Sequence, residues 1–176
     1  EFKIVPISVN VSRIHLADKD KFINDFVELV DHYKIPHELI ELELTENIFL
    51  NNTETAITTM AELRKLGFIL SIDDFGSGYS SLNILKDVTS DVLKLDKAFF
   101  GKEKLQKEEQ IILTSIVDMA RKLDIKVLSE GVETTEQSKF LKGIQCDMAQ
   151  GFLYSKPVPL REFEKMLNDD MSFGVY

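Results

Sequence analysis

Six short runs of β-forming residues alternate with longer stretches of helical periodicity, and this alternation restricts the chain more than any other feature. In order, the runs are KIVPISVN, LIELELTE, FILSIDD, DVLKLD, IKVLSEG and MAQGFLY. In KDKFINDFVELVDHYKIP, residues Phe22, Phe26, Leu29, Val30 and Tyr33 recur at helical spacing, and Pro36 marks the stop. NTETAITTMAELRKLG sets Ala56, Met60, Leu63 and Leu66 on one face, with Gly67 where a C-terminal cap would sit. EEQIILTSIVDMARKLD offers Ile112, Ile116, Met119 and Leu123. Thr134 with Gln137 resembles a capping box, and Pro159 opens a last helix at LREFEKML. Strands separated by helices at roughly twenty to thirty-five residues read as βαβ units, hence a parallel sheet buried on both faces with right-handed crossovers. No linker or low-complexity tract interrupts the series, so residues 1–176 are expected to be one domain.

Size and charge narrow the partners. With 176 residues the chain is long enough for one substantial core. A net charge of -9 argues against adhesion to DNA, RNA or anionic membrane, which require a basic surface. The single cysteine, Cys146, has no internal partner and reads as a buried structural thiol. No apolar stretch is long enough to span a bilayer and EFKIVPISVN lacks the basic start of a signal peptide, so a cytoplasmic location is expected. The opening on Glu1, running directly into an apolar segment, reads as a piece of a longer polypeptide.

Polar residues fall at the C-terminal end of nearly every β-forming run: Asn10, Glu43 and Glu46, Asp73 and Asp74, Asp96, Glu130 and Glu133, and Gln150. In a parallel barrel these ends share the face on which active sites form. A lone acid at a strand end is ordinarily a helix cap, whereas this many on one rim require cations to offset their repulsion. Oxygen donors without a histidine or thiol cluster point to hard divalent ions. His15, His32 and His37 have no ligand spacing and read as surface residues. The paired aspartates of LSIDDFGSGYSSL can serve one site because the chain turns at a strand end, releasing the strict alternation of side chains. Lys94 points to the same side as Asp96 and one layer deeper, where it either neutralises Glu41 or Asp96, or orients a water or phosphate oxygen.

SVNVS, ELTE, DDFGSGYSSL, KLD, SEGVET and QGFLYSKPVP together resemble successive motifs of the EAL domain family, the phosphodiesterases of the bacterial messenger cyclic di-GMP. The resemblance covers the whole chain and implies a TIM-like (β/α)8 barrel, of which strands 3 to 8 are present. It implies two divalent cations, Mg2+ or Mn2+. Asn10, Glu43 and Asp73 would ligate the first, Asp73 would bridge, and Asp74 and Glu130 would complete the second. Lys94 and Glu133, with Glu130, would form the catalytic set that positions the attacking water. Asn10, Asp74, Lys94, Glu133 and Gln150 would meet the substrate, and Glu46 would anchor the loop from Phe75 to Ser81. The expected product is linear pGpG. Implied partners are cyclic di-GMP, sensor or GGDEF-type cyclase modules of the same polypeptide, and a second copy in a homodimer.

The sequence departs from the family pattern in two places. Ser129 stands where the family often has alanine, and the Glu-Ala-Leu signature, with its metal-binding glutamate, is absent. Six strands cannot close an eight-stranded barrel, so open edges are expected at both ends, covered by another segment or another chain. Weak binding of the first metal and poor turnover by this chain alone are the corollary. Two rival readings are a degenerate EAL domain that binds the nucleotide or a protein without hydrolysis, and a metal-dependent barrel enzyme acting on carbon acids, as in the enolase superfamily.

Overall fold

A computed structural model describes residues 4–51, 53–76, 82–100 and 105–168. Its strands are β1 (Ile7–Asn10), β2 (Ile40–Thr45), β3 (Ile69–Phe75), β4 (Val92–Leu95), β5 (Lys126–Ser129) and β6 (Met148–Ala149). The helices are α1 (Lys19–His32), α2 (Glu46–Asn51), α3 (Thr53–Lys65), α4 (Leu82–Asp87), α5 (Lys107–Lys122), α6 (Thr135–Gly143) and α7 (Leu160–Asn168). The chain is described as two compact units that divide inside β4. One runs Pro6–Leu93; the other takes in the residues from Lys94 onward with Ile4 and Val5.

In Pro6–Leu93, β1 pairs with β2 and β2 with β3, both parallel. The register matches Asn10 to Glu43, Glu43 to Ser71 and Thr45 to Asp73. Register partners in a parallel pair point the same way and side chains alternate along each strand, so Asn10, Glu41, Glu43, Thr45, Ser71 and Asp73 share one face. The opposite face carries Leu42, Leu44, Leu70 and Ile72, all fully buried, as are Ala56 and Leu63 of α3. In the second unit the amide of Glu130 donates to the carbonyl of Leu95 and β5 pairs in parallel with β6. Its core holds Leu113, Val117 and Ala120 of α5 with Val127 and Leu141.

Four helices end in the same way. Lys34, Gly67, Asp124 and Gln145 each follow a helix end in left-handed backbone geometry. Their amides donate to the carbonyls of Asp31, Arg64, Arg121 and Lys142, and the next amides (Ile35, Phe68, Ile125, Cys146) to Val30, Leu63, Ala120 and Leu141. This double bond is the Schellman termination, which uses the carbonyls a helix end leaves over. It also explains Cys146, which occupies the position that Phe68 and Ile125 fill elsewhere, and which is likewise buried. Its thiol donates toward the carbonyls of Val127 and Met148 at 3.5 and 3.4 Å, and burial pushes its pKa up to about 11, as befits a structural thiol.

An aspartate then leads into the next strand in two units. Asp91, before β4, accepts the amide of Leu70 at 3.0 Å and both Nε and Nη2 of Arg64, while Asp147, before β6, accepts the amide of Val127 at 2.8 Å. Leu70 is fully buried, so an Asp91→Ala variant strands its N–H and releases Arg64. A loss of about 2 kcal/mol in urea unfolding is expected.

Two helical faces differ from the periodicity. In α5 the buried stripe is Leu113, Ile116, Val117 and Ala120, leaving Ile112 and Leu123 about half exposed. That helix is apolar over so much of its circumference that spacing alone does not fix its phase. In α1 the buried residues are Ile23 and Val30, while Leu29 and Tyr33 are exposed. Phe22, Phe26 and Leu29 instead line an apolar groove of about 460 Å³ with Val9, Ile14 and Leu42. All four residues of β1 are exposed, Ile7 and Val9 included, and among the described residues β1 pairs with β2 alone.

Candidate active site

The polar face of β1–β3 is the first cluster of predicted residues that the structure brings together. Glu43 and Asp73 are buried carboxylates, at 6% and 9% exposure, and Asn10, the register partner of Glu43, is exposed at the end of β1. Sequence reasoning missed two oxygens on this face. Thr45 is the register partner of Asp73, and Ser71, two residues before Asp73, is fully buried with no hydrogen-bond partner for its hydroxyl among the described residues. The signal was the period of two, which places every second residue behind Asp73 on the same side.

Asp74 adopts left-handed geometry, with φ of 55°, and its amide donates to Oδ1 of Asp73 at 2.9 Å. The strand therefore breaks its alternation at the second aspartate, as the adjacent acids required. Aspartate tolerates this conformation better than most residues do. Glu46 begins α2, where the β-forming run suggested more strand, and is almost fully buried; its Oε2 accepts the amide of Gly76 at 3.2 Å. The rest of the expected loop, residues 77–81, lies outside the described residues.

In the second unit, Lys94 of β4 meets Glu130, just beyond β5, with Nζ 2.8 Å from Oε1. The lysine side chain is only 7% exposed, so the carboxylate offsets the cost of burying its charge. Asp96 is occupied otherwise: its Oδ1 caps the following 3-10 turn by accepting the amide of Ala98 at 2.6 Å. Glu133 and Gln150 are exposed. Thr134 forms the expected capping box of α6, and Oε1 of Gln137 accepts the amides of Glu133 and Thr134 at 2.8 and 3.0 Å, fixing the backbone of Glu133. Gln150 is held through its main chain, its amide donating to Ser129 and its carbonyl accepting from Val132.

The donor set of the first cluster is all oxygen, from two buried carboxylates, an amide and hydroxyls, which suits a hard divalent cation and not zinc or copper. Among the described residues, no group of three or more histidine, cysteine, aspartate or glutamate side chains is arranged to hold a metal. The Asn10, Glu43 and Asp73 set, with two acids and an amide, is compatible with that.

A profile of the EAL domain matches residues 1–157. The chain is 43% identical over 128 residues, 73% of its length, to the cyclic di-GMP phosphodiesterase NbdA of Pseudomonas aeruginosa, and spans 16% of that relative. Among solved structures, the EAL domain of Mycobacterium smegmatis DcpA superposes with a TM-score of 0.86 at 32% identity, covering 93% of this chain and 73% of that one. A manganese and cyclic di-GMP complex of Klebsiella pneumoniae BlrP1 gives 0.80 at 28% identity, covering 86% of this chain and 39% of that one. These likenesses put the six βα units in the TIM-like barrel fold class.

Proposed function

The chain belongs to the EAL domain family, and from that premise we propose that it is the catalytic portion of a phosphodiesterase that hydrolyses cyclic di-GMP to linear pGpG. Asn10, Glu43 and Asp73 would hold a first Mg2+ or Mn2+, and Asp74 would be available to a second. When bound, such ions supply a water acidified for attack at neutral pH and a positive field for the anionic phosphodiester. Water adds to one phosphorus, the bond from that phosphorus to the 3′ oxygen of the ribose breaks, and a proton passes to the leaving oxygen. The ring opens once, leaving a 5′-phosphate.

The chain's own groups have defined parts in this scheme. Lys94 fixes Glu130 in one orientation through their 2.8 Å contact and supplies a positive charge for a water or a nonbridging phosphate oxygen. The Gln137 side chain fixes the backbone that carries Glu133, so that the carboxylate can orient the attacking water. Glu46 fixes the amide that follows Phe75, and Gln150 supplies an amide to the nucleotide.

One observation carries the reading: Glu43 and Asp73, two carboxylates withdrawn from solvent, share a strand face with Asn10, Thr45 and the unpartnered hydroxyl of Ser71. An all-oxygen face of this kind suits a hard divalent cation. Titration with manganese, followed by calorimetry, is expected to show saturable uptake that Glu43→Gln weakens at least about tenfold. Chromatography of the product is expected to show pGpG. Absence of saturable uptake in the wild type defeats the metal assignment, and nucleotide binding without turnover identifies the non-hydrolytic rival.

A further inference from the structure

We infer that His37 is a pH-sensitive clasp, joining the termination of α1 to that of α3 as an imidazolium and releasing one of them when it loses a proton. This does not rest on the proposed hydrolysis. His37 lies beyond the end of α1, in a 3-10 turn (His37–Leu39) that leads into β2. Its Nδ1 lies 2.6 Å from the carbonyl of Leu66 and its Nε2 lies 3.0 Å from Oδ1 of Asp31. Its ring stacks on Phe68, centroids 4.3 Å apart and planes within 10°. The side chain is about 20% exposed, so His37 stands at the surface half-buried.

Both partners are acceptors. A neutral imidazole has one N–H and one lone pair, so in either tautomer one contact would set a lone pair against an oxygen. Only the doubly protonated ring donates to both. The contacts also tie two equivalent features: Asp31 offers its main-chain carbonyl to the cap of α1, and Leu66 and Phe68 flank Gly67 in the cap of α3. The imidazolium therefore bridges two Schellman turns.

The charged groups that face the ring are Asp31 from α1 and Glu38 from its own turn; the segment after α3 presents a carbonyl and an aromatic face. In accord with this geometry, the hydrogen bond to the Leu66 carbonyl, and then the Asp31 carboxylate, hold the His37 pKa above its ordinary 6.5 against the opposing effect of burial. The linkage has a fixed sign. A folded-state pKa above the unfolded one contributes stability in full below the ordinary value, and that contribution is lost as pH rises through the folded value. The clasp is thus closed in mild acid and opens as pH rises through the raised pKa of His37.

Proton NMR of the histidine Hε1 signals across pH, assigned with His37→Gln, tests this. His37 is expected to titrate above its ordinary value, and Asp31→Asn to lower its midpoint. The melting temperature of the wild type is expected to fall more than that of His37→Gln between about pH 6 and about pH 9. A His37 midpoint at or below the ordinary value, a midpoint unmoved by Asp31→Asn, or equal pH slopes in the two proteins would overturn the clasp. Should His37→Gln fail to fold, the wild-type titration and Asp31→Asn decide alone.

Discussion

Replacing Asp73 with asparagine is expected to lower the rate of cyclic di-GMP hydrolysis roughly 10³-fold or more while leaving the fold intact. Asn and Asp have the same shape, so Oδ1 can still accept the Asp74 amide that it holds at 2.9 Å. What disappears is a buried negative charge on the polar face of β3, opposite Thr45 and in line with Ser71. The substitution keeps the size and the hydrogen-bonding oxygen of the side chain, so the melting temperature of Asp73→Asn without metal is expected to stay close to that of the wild type. Manganese uptake is expected to weaken with the activity. A variant that hydrolyses at an undiminished rate removes Asp73 from the reaction, and with it the role proposed for this face.

Gly151→Ala is expected to have the largest effect on stability. A Cβ at this position would lie 2.1 Å from the carbonyl oxygen of Val132 and 2.3 Å from its nitrogen. Both are main-chain atoms, so no side chain can swing aside. The same peptide groups are committed in both directions: the Val132 amide donates to Gln150 and its carbonyl accepts from Leu153, each at 3.0 Å. One methyl group therefore forces apart two hydrogen bonds and the strand end that carries Gln150. A loss of about 3 kcal/mol in denaturant unfolding is expected. Wild-type stability in this variant would show that the loop after β6 moves as a body without cost.

The sequence conveyed the order of elements well, because each βα unit is written locally in a β-forming run, a cap and a helical period. Thr134 with Gln137, Gly67, and the helix after Pro159 all stand where their chemistry places them. The other helix terminations were invisible, since Lys34, Asp124 and Gln145 take the left-handed position without being glycine. Register imposed those conformations, and a short motif does not record register. The phase of α5 failed for a related reason: Ile112 and Leu113 are equally apolar, and only packing distinguishes the exposed one from the buried one. Within the candidate site, acids at strand ends were legible one by one, whereas Ser71 and Thr45 acquire meaning only once the strands are paired. The partial burial of His37 could not be read locally, because it comes from a stacking partner thirty-one positions later in the chain, Phe68.

Asn10 ends a strand that, among the described residues, is hydrogen-bonded along one side alone, to β2. Such a strand frays more readily than its neighbours. Any cation that takes the Asn10 amide must first find β1 docked, so its apparent affinity is the intrinsic one scaled by the docked fraction. On the proposed assignment, whatever shelters that margin of the sheet would tighten the ion without touching it, and the strand's attachment would act as a rheostat on the site at its tip.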